Sequence, residues 1–110
     1  MSITYNDPKL DAAFEALANS KRRGMVNSLA YSPATVSRLA HEFNLTLPAI
    51  HKHLRVLEKA RLIQRKKVGR TNFVALRRET LGNVQAWAVQ FNTGWGSDQE
   101  TLENYISSNN

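Results

Sequence analysis

Two apolar patterns of helical spacing lie almost end to end in the middle of the chain, with only Asn44-Leu45-Thr46 to connect them. Upstream, Val36, Leu39, Ala40 and Phe43 recur on one helix face, and Thr35 stands where an N-cap belongs. Downstream, Thr46 is the next N-cap, and Ile50, Leu54 and Leu57 repeat within residues 47–59. Asn accepts left-handed backbone better than any residue except glycine. Two short helices joined by so tight a turn make a helix-turn-helix over about residues 35–59.

The flanking chain supplies the rest of the architecture. Asp7-Pro8 is an N-cap followed by proline at the first helical position, and Leu10, Phe14, Leu17 and Ala18 follow at helical spacing. A second helix is predicted over 20–31, with Met25, Val26 and Leu29 on one face, and Ser32-Pro33-Ala34 breaks it. Its first turn holds Lys21, Arg22 and Arg23, the unfavourable end of the helix dipole for cations. They have either a phosphate to contact or simply a solvated helix start. Residues 62–67 and 71–76 read as two strands joined by Val68-Gly69-Arg70, with Gly69 supplying positive φ. From Thr80, the residues Leu81, Val84, Trp87, Ala88, Phe91 and Trp95 keep helical spacing until Gly94-Trp95-Gly96. Ser97 and Glu100 then form a capping box ahead of Leu102, Tyr105 and Ile106. The expected fold is a single domain over 1–110, mainly α with a small β-hairpin. It is a winged helix-turn-helix of five to six helices, with the wing at about 62–76.

Charge is concentrated rather than scattered. The net charge is +6, yet residues 52–78 hold ten Lys or Arg and one acid, Glu58, while residues 79–110 hold four acids and no Lys or Arg. A basic block of this kind suggests a polyanion partner, against the plainer alternative of a solvated basic face. The chain has no cysteine, which excludes disulfides, thiolate metal sites and cysteine catalysis. No carboxylate pair, nucleophile–base arrangement or glycine-rich phosphate loop is visible, so neither an enzyme nor a cofactor is expected. No apolar run reaches membrane-spanning length and the N-terminus lacks a signal pattern, so a cytoplasmic protein without a membrane partner is expected.

On a helical wheel, Ile50, Leu54 and Leu57 fall within roughly 60° of one another, and Pro48, Lys52 and Arg55 lie opposite. His51 and His53 flank the core stripe on different sides, about 200° apart, so they cannot chelate one metal ion. A helix buried on one side with Pro48, His51, Lys52 and Arg55 on the other suits the DNA major groove. His53 stands at the edge of the core stripe, where a structural hydrogen bond competes with base reading. Arg65, Lys66, Lys67 and Arg70 make the hairpin basic. Such a wing follows the DNA backbone or puts Arg70 into a narrow minor groove.

The segments ALANSKRRGMVNSL, TVSRLAHEFNLTLPAIHKHLRVLEKARLI and RKKVGRTNFVAL, in this order and spacing, resemble the ArsR family of bacterial and archaeal winged-helix repressors. The family pattern is roughly LADPTRRxIL, then LTVxELAxxLGLSQPAVSKHLRVLxxAGLV, then RxGRxxxYxL. The likeness covers about residues 10–95. It implies a homodimeric, sequence-specific DNA-binding transcriptional repressor that places the helix at 47–59 in the major groove of an inverted-repeat operator. The alternative is a winged-helix protein–protein module without specific DNA binding. The resemblance also implies dimerisation helices at about 8–18 and 80–106, with Leu10, Phe14, Leu81, Val84, Trp87, Ala88 and Phe91 at the interface. Trp87, Phe91 and Trp95 either line an apolar pocket near that interface or simply pack.

Several positions depart from the family pattern. The Ser-Gln opening of its recognition helix is here Thr46-Leu47, where Thr46 still caps and Leu47 can touch only a thymine methyl. A common Ser is replaced by His51, and the acid three residues after the N-cap of the preceding helix by Arg38, which can reach a phosphate. The family's metal-sensing positions are empty of ligands: Thr35-Val36-Ser37 has no cysteine, and residues 80–96 contain no Cys, His, Asp or Glu. No metal site is expected, which leaves a small-molecule effector, a partner protein or no effector as alternatives.

Overall fold

Asp7 caps the first helix with its carboxylate, which accepts from the backbone N–H groups of Lys9 at 3.0 Å and Leu10 at 3.4 Å. The computed structural model describes residues 7–91 and 97–109. Within them, α1 (Pro8–Leu17), α2 (Ser20–Tyr31), β1 (Ala34–Thr35), α3 (Val36–Glu42), α4 (Leu47–Lys59), β2 (Ile63–Val68), β3 (Thr71–Leu76), α5 (Arg78–Val89) and α6 (Asp98–Ser108) follow one another. None of these helices is long and apolar enough to cross a membrane. The expected caps at Thr35, Thr46 and Ser97 all form, the last as a full capping box.

The core is built where the helical patterns meet the hairpin. Met25 and Leu29 of α2, Leu39 of α3, Ile50, Leu54 and Leu57 of α4, and Leu62, Ile63 and Val74 from the wing side are all buried. Burying a Leu or Ile side chain contributes roughly 1.5–3 kcal/mol, so this cluster orients α4 firmly. Phe43 closes the cluster against α2. A Cβ on Gly24 would come within 2.7 Å of Phe43 Cε1, so the ring needs glycine opposite it.

Some elements differ from expectation. In α1 the buried residues are Leu10, Ala13 and Ala16, while Phe14 and Ala18 are exposed. The small alanines let α1 lie close against α2 and α4, and this turns Phe14 outward toward α5. Ala34 and Thr35, expected only as a break and a cap, also pair antiparallel with Val74 and Phe73, giving a three-stranded sheet in the order β1-β3-β2. Two residues are too few to show a strand period. Helix α5 begins at Arg78, two residues early, and buries Thr80. The Thr80 hydroxyl lies 3.2 Å from the carbonyl of Ala60 and 2.9 Å from that of Arg61. The helix ends at Val89, short of the expected stop; Trp95 lies outside the described residues.

Both members of the central helix pair end in the same backbone motif. After α3, Leu45 N–H donates to Ala40 O at 2.8 Å and Asn44 N–H to His41 O at 3.2 Å, with Asn44 at φ 53°. After α4, Leu62 N–H donates to Leu57 O and Arg61 N–H to Glu58 O, both at 3.0 Å, with Arg61 at φ 58°. These are Schellman caps, which favour glycine at the left-handed residue. The family pattern has glycine where this chain has Arg61. Replacing Arg61 by Gly is expected to stabilise the fold by about 0.5–1 kcal/mol, as strain at a β-carbon is relieved against some loss of chain stiffness. Urea unfolding checks this, and a midpoint that stays put or falls would show that Arg61 carries no net strain.

Candidate nucleic-acid interface

Thr46 Oγ1 accepts from the Ala49 backbone N–H at 3.3 Å and sets the start of α4. From there the helix is sharply two-sided. Ile50, Leu54 and Leu57 have no exposed surface, whereas Leu47, Pro48, Lys52 and Arg55 face solvent. Arg38 of α3 is exposed, with its backbone N–H held by Thr35 Oγ1 at 3.1 Å. Lys66 and Lys67 on β2 and Arg70 in the hairpin turn are exposed as well. Gly69 at φ 61° makes that turn. Between the start of α4 and the wing tip lies an open cleft of about 410 Å³, lined among others by Ser37, Leu47, His51, Arg70 and Asn72.

The remaining cations of the sequence reading are engaged within the protein. Arg22 Nε donates to Ala16 O at 2.7 Å and its Nη2 to Glu15 O at 3.3 Å, while Arg23 Nη1 donates to Leu17 O at 2.7 Å. Lys21 Nζ donates to Phe43 O at 3.1 Å. Cations at the unfavourable end of α2 therefore sit at the favourable, carbonyl-rich ends of α1 and α3. The clue in the sequence was the two-residue gap between the first two helices, which brings that end of α1 beside the start of α2.

Arg65 is likewise drawn inward. Its Nη2 pairs with Glu58 Oε1 at 3.0 Å and its Nη1 lies 3.2 Å from His51 Nδ1. Glu58 is the single acid of the basic block, and among the described residues this is the one ion pair within 4.0 Å. Lys52, Arg55, Lys66, Lys67 and Arg70 are exposed and have no ion-pair partner among the described residues.

The two histidines of α4 meet different partners, as their wheel positions required. His53 Nδ1 lies 3.3 Å from Arg22 Nη1, and since a guanidinium only donates, the ring accepts. Burial, then the charges of Arg22, Lys21 and Lys52, hold its pKa below the ordinary histidine value. His53 has a structural partner at the core edge, while His51 opens onto the cleft.

The residues expected at a dimer interface divide. Leu10 is buried inside the chain's own fold, whereas Phe14, Ala88 and Phe91 are exposed and Leu81, Val84 and Trp87 half-buried. Phe14, Trp87 and Phe91 form an edge-to-face chain, with ring centroids 5.2 and 4.8 Å apart.

Known proteins share this fold. The family model described as "Bacterial regulatory protein, arsR family" matches residues 19–65, from the start of α2 into β2. A crystal structure of an ArsR family transcriptional regulator, RHA00566, superposes with a TM-score of 0.74 at 36% identity, over 82% of this chain and 91% of that one. The chain belongs to the ArsR family. The chain is also 43% identical to the HTH-type transcriptional regulator Rv2034 of Mycobacterium tuberculosis over 60 residues, only 54% of that relative's length. It is 26% identical to the transcriptional repressor SdpR of Bacillus subtilis over 82 residues, 91% of that protein. The family consists of transcriptional regulators with a winged helix, not enzymes.

The low pKa of His53 has a consequence for stability. The unfolded chain binds a proton at this residue more readily than the folded chain does, so stability is full above about pH 6.5 and is lost as pH falls through the lowered folded value. The melting temperature is expected to drop from pH 7.5 to pH 5, and less steeply in His53→Gln. Parallel melting curves for the two proteins would mean that His53 is not the group being titrated.

Proposed function

We propose that this protein is a sequence-specific, DNA-binding transcriptional repressor that works as a homodimer on an inverted-repeat operator. The observation that carries this is the two-sidedness of α4. Its apolar stripe is wholly buried, so its outer face is held rigidly outward, and that face and the wing both carry exposed cations without an ion-pair partner among the described residues. In this reading α4 enters the major groove, with Leu47, Pro48 and His51 nearest the bases and Lys52 and Arg55 nearest phosphate or guanine. Thr46 directs the free N–H groups of the helix start toward a phosphate. Arg38, Lys66 and Lys67 follow the backbone, and Arg70 extends along it or into the minor groove.

The dimer is supported by the aromatic chain of Phe14, Trp87 and Phe91, which leaves apolar surface exposed on α1 and just past α5. A symmetric pair would bury it against its own copy, with Leu81, Val84 and Ala88 beside it. Leu10 has no part, being covered within the protomer. Helix α6, whose Leu102, Tyr105 and Ile106 are exposed, would extend the same interface. Two copies of α4 about 34 Å apart then match successive major grooves.

Lys52→Ala and Arg55→Ala are each expected to weaken binding about tenfold and to lower the salt slope by nearly one counterion, read by fluorescence anisotropy on DNA upstream of the protein's own gene. Unchanged affinity in both variants would mean that α4 does not face DNA. A palindromic site that competes no better than random DNA would reject the specific repressor and favour a protein-binding winged helix. Trp87→Glu is expected to give monomers by light scattering and to lose operator affinity while α-helical content is kept; an intact dimer would place the interface elsewhere.

A further inference from the structure

Arg65 is the basic wing residue that does not face outward, and its geometry bears on what the recognition helix reads. His51 and Glu58 lie seven residues apart on α4, two turns along nearly the same face. The guanidinium of Arg65, reaching across from β2, bridges them, with Nη1 3.2 Å from His51 Nδ1 and Nη2 3.0 Å from Glu58 Oε1. Both terminal nitrogens are therefore held by α4 itself. The side chain is 22% exposed, so the bridge is partly shielded from competing water.

A guanidinium has five N–H donors and no acceptor. Its contact with an imidazole nitrogen can form only if that nitrogen presents its lone pair. His51 Nδ1 then carries no hydrogen, and the one hydrogen of the neutral ring is on Nε2. An Nδ1–H tautomer or an imidazolium would set N–H against N–H. Glu58 strengthens the arrangement by holding the guanidinium in register. The ring is half-buried, so it cannot swing freely away, and it borders the cleft between α4 and the wing tip that Leu47 and Arg70 also line.

We infer that Arg65 is a positioning residue for DNA recognition, locking His51 as the Nε2–H tautomer so that α4 offers the base edges a hydrogen-bond donor. This rests on the DNA-binding reading above and deepens it. A donor at Nε2 pairs with purine N7, guanine O6 or thymine O4, and it opposes the amino groups of cytosine and adenine. The wing thereby takes part in specificity without touching a base. The departure of His51 from the family's serine matters for the same reason. A serine hydroxyl rotates between donor and acceptor, whereas the clamped imidazole does only one of the two.

The first arm of the test needs no DNA. Long-range ¹H–¹⁵N correlation spectra of the histidine rings at pH 7.5, with His51 identified by its loss in His51→Gln, are expected to show a neutral Nε2–H ring. In Arg65→Met, which has no donor, the ring should move toward a mixture of tautomers. In Arg65→Lys, which has donors only, the Nε2–H pattern should be kept. A wild-type Nδ1–H ring, or a pattern in Arg65→Met equal to that of wild type, overturns the clamp. Should Arg65→Met fail to fold, Arg65→Leu takes its place, because Nε2–H is also the commoner tautomer of an unclamped neutral imidazole and wild type alone cannot decide. The second arm uses the operator recovered by in vitro selection, with 7-deazapurine, which lacks the N7 acceptor, or cytosine placed at each position in turn. One position is expected at which the change costs about tenfold in affinity for wild type, little for His51→Ala, which has no donor, and less than for wild type in Arg65→Met. If no position behaves so, His51 does not read a base acceptor. If no selected DNA outcompetes random sequence, it is the repressor reading that fails, while the tautomer result stands by itself.

Discussion

The complete burial of Ile50, Leu54 and Leu57 is the constraint on which the other features depend. Three branched or bulky side chains on one stripe of a 13-residue helix leave α4 a single rotation about its axis. That rotation turns Lys52 and Arg55 to solvent, sets His53 against α2 and aims His51 at the wing. Had the stripe been broader or weaker, the same charged residues could have been distributed around a helix of uncertain roll. In the DNA-binding reading proposed above, a recognition surface needs its contacts fixed to within a fraction of the base-pair spacing, and the hydrophobic core would supply that fixity.

Nine of the fifteen Lys and Arg fall into two sets with different duties. Lys21, Arg22, Arg23 and Arg65 are drawn onto carbonyls, a histidine or Glu58. Their charge holds elements together: α1 to α2, α2 to the turn after α3, and α4 to the wing. Lys52, Arg55, Lys66, Lys67 and Arg70 have no such partner among the described residues and are exposed. The Arg65–Glu58 pair is half open to water and worth at most about 1 kcal/mol as an ion pair. Its importance lies in geometry, since it fixes a donor against an imidazole.

Much of this was legible in the residues. Thr35, Thr46 and Ser97 cap because a short hydroxyl side chain before an apolar-periodic run has little else to do, and the turn at Asn44 follows from its tolerance of left-handed backbone. The hairpin around Gly69 and the core stripe of α4 were readable for equally local reasons. The missed features are all non-local or too short for a period. Strand β1 has two residues and exists only because β3 offers an edge. Thr80 is buried because α4 ends beside it. Arg61 adopts the left-handed region without the expected glycine, so the cap is made by the backbone hydrogen bonds rather than by the residue's own preference. The inward turn of Leu10, Ala13 and Ala16, which leaves Phe14 out, depends on how closely alanines let α1 approach α2 and α4.

Within this protein, the sequence alone determined the helix-turn-helix, the basic wing and the side of α4 that must be buried. Each follows from periodicity, capping and charge, which act over a few residues and survive in any context. Only the tertiary structure decided which cations meet a partner within the fold and which nitrogen of His51 faces Arg65. Those outcomes depend on groups 6 to 31 residues apart being brought within hydrogen-bond reach. No local preference encodes such a meeting. It is set by how the helices and the hairpin pack around one shared core.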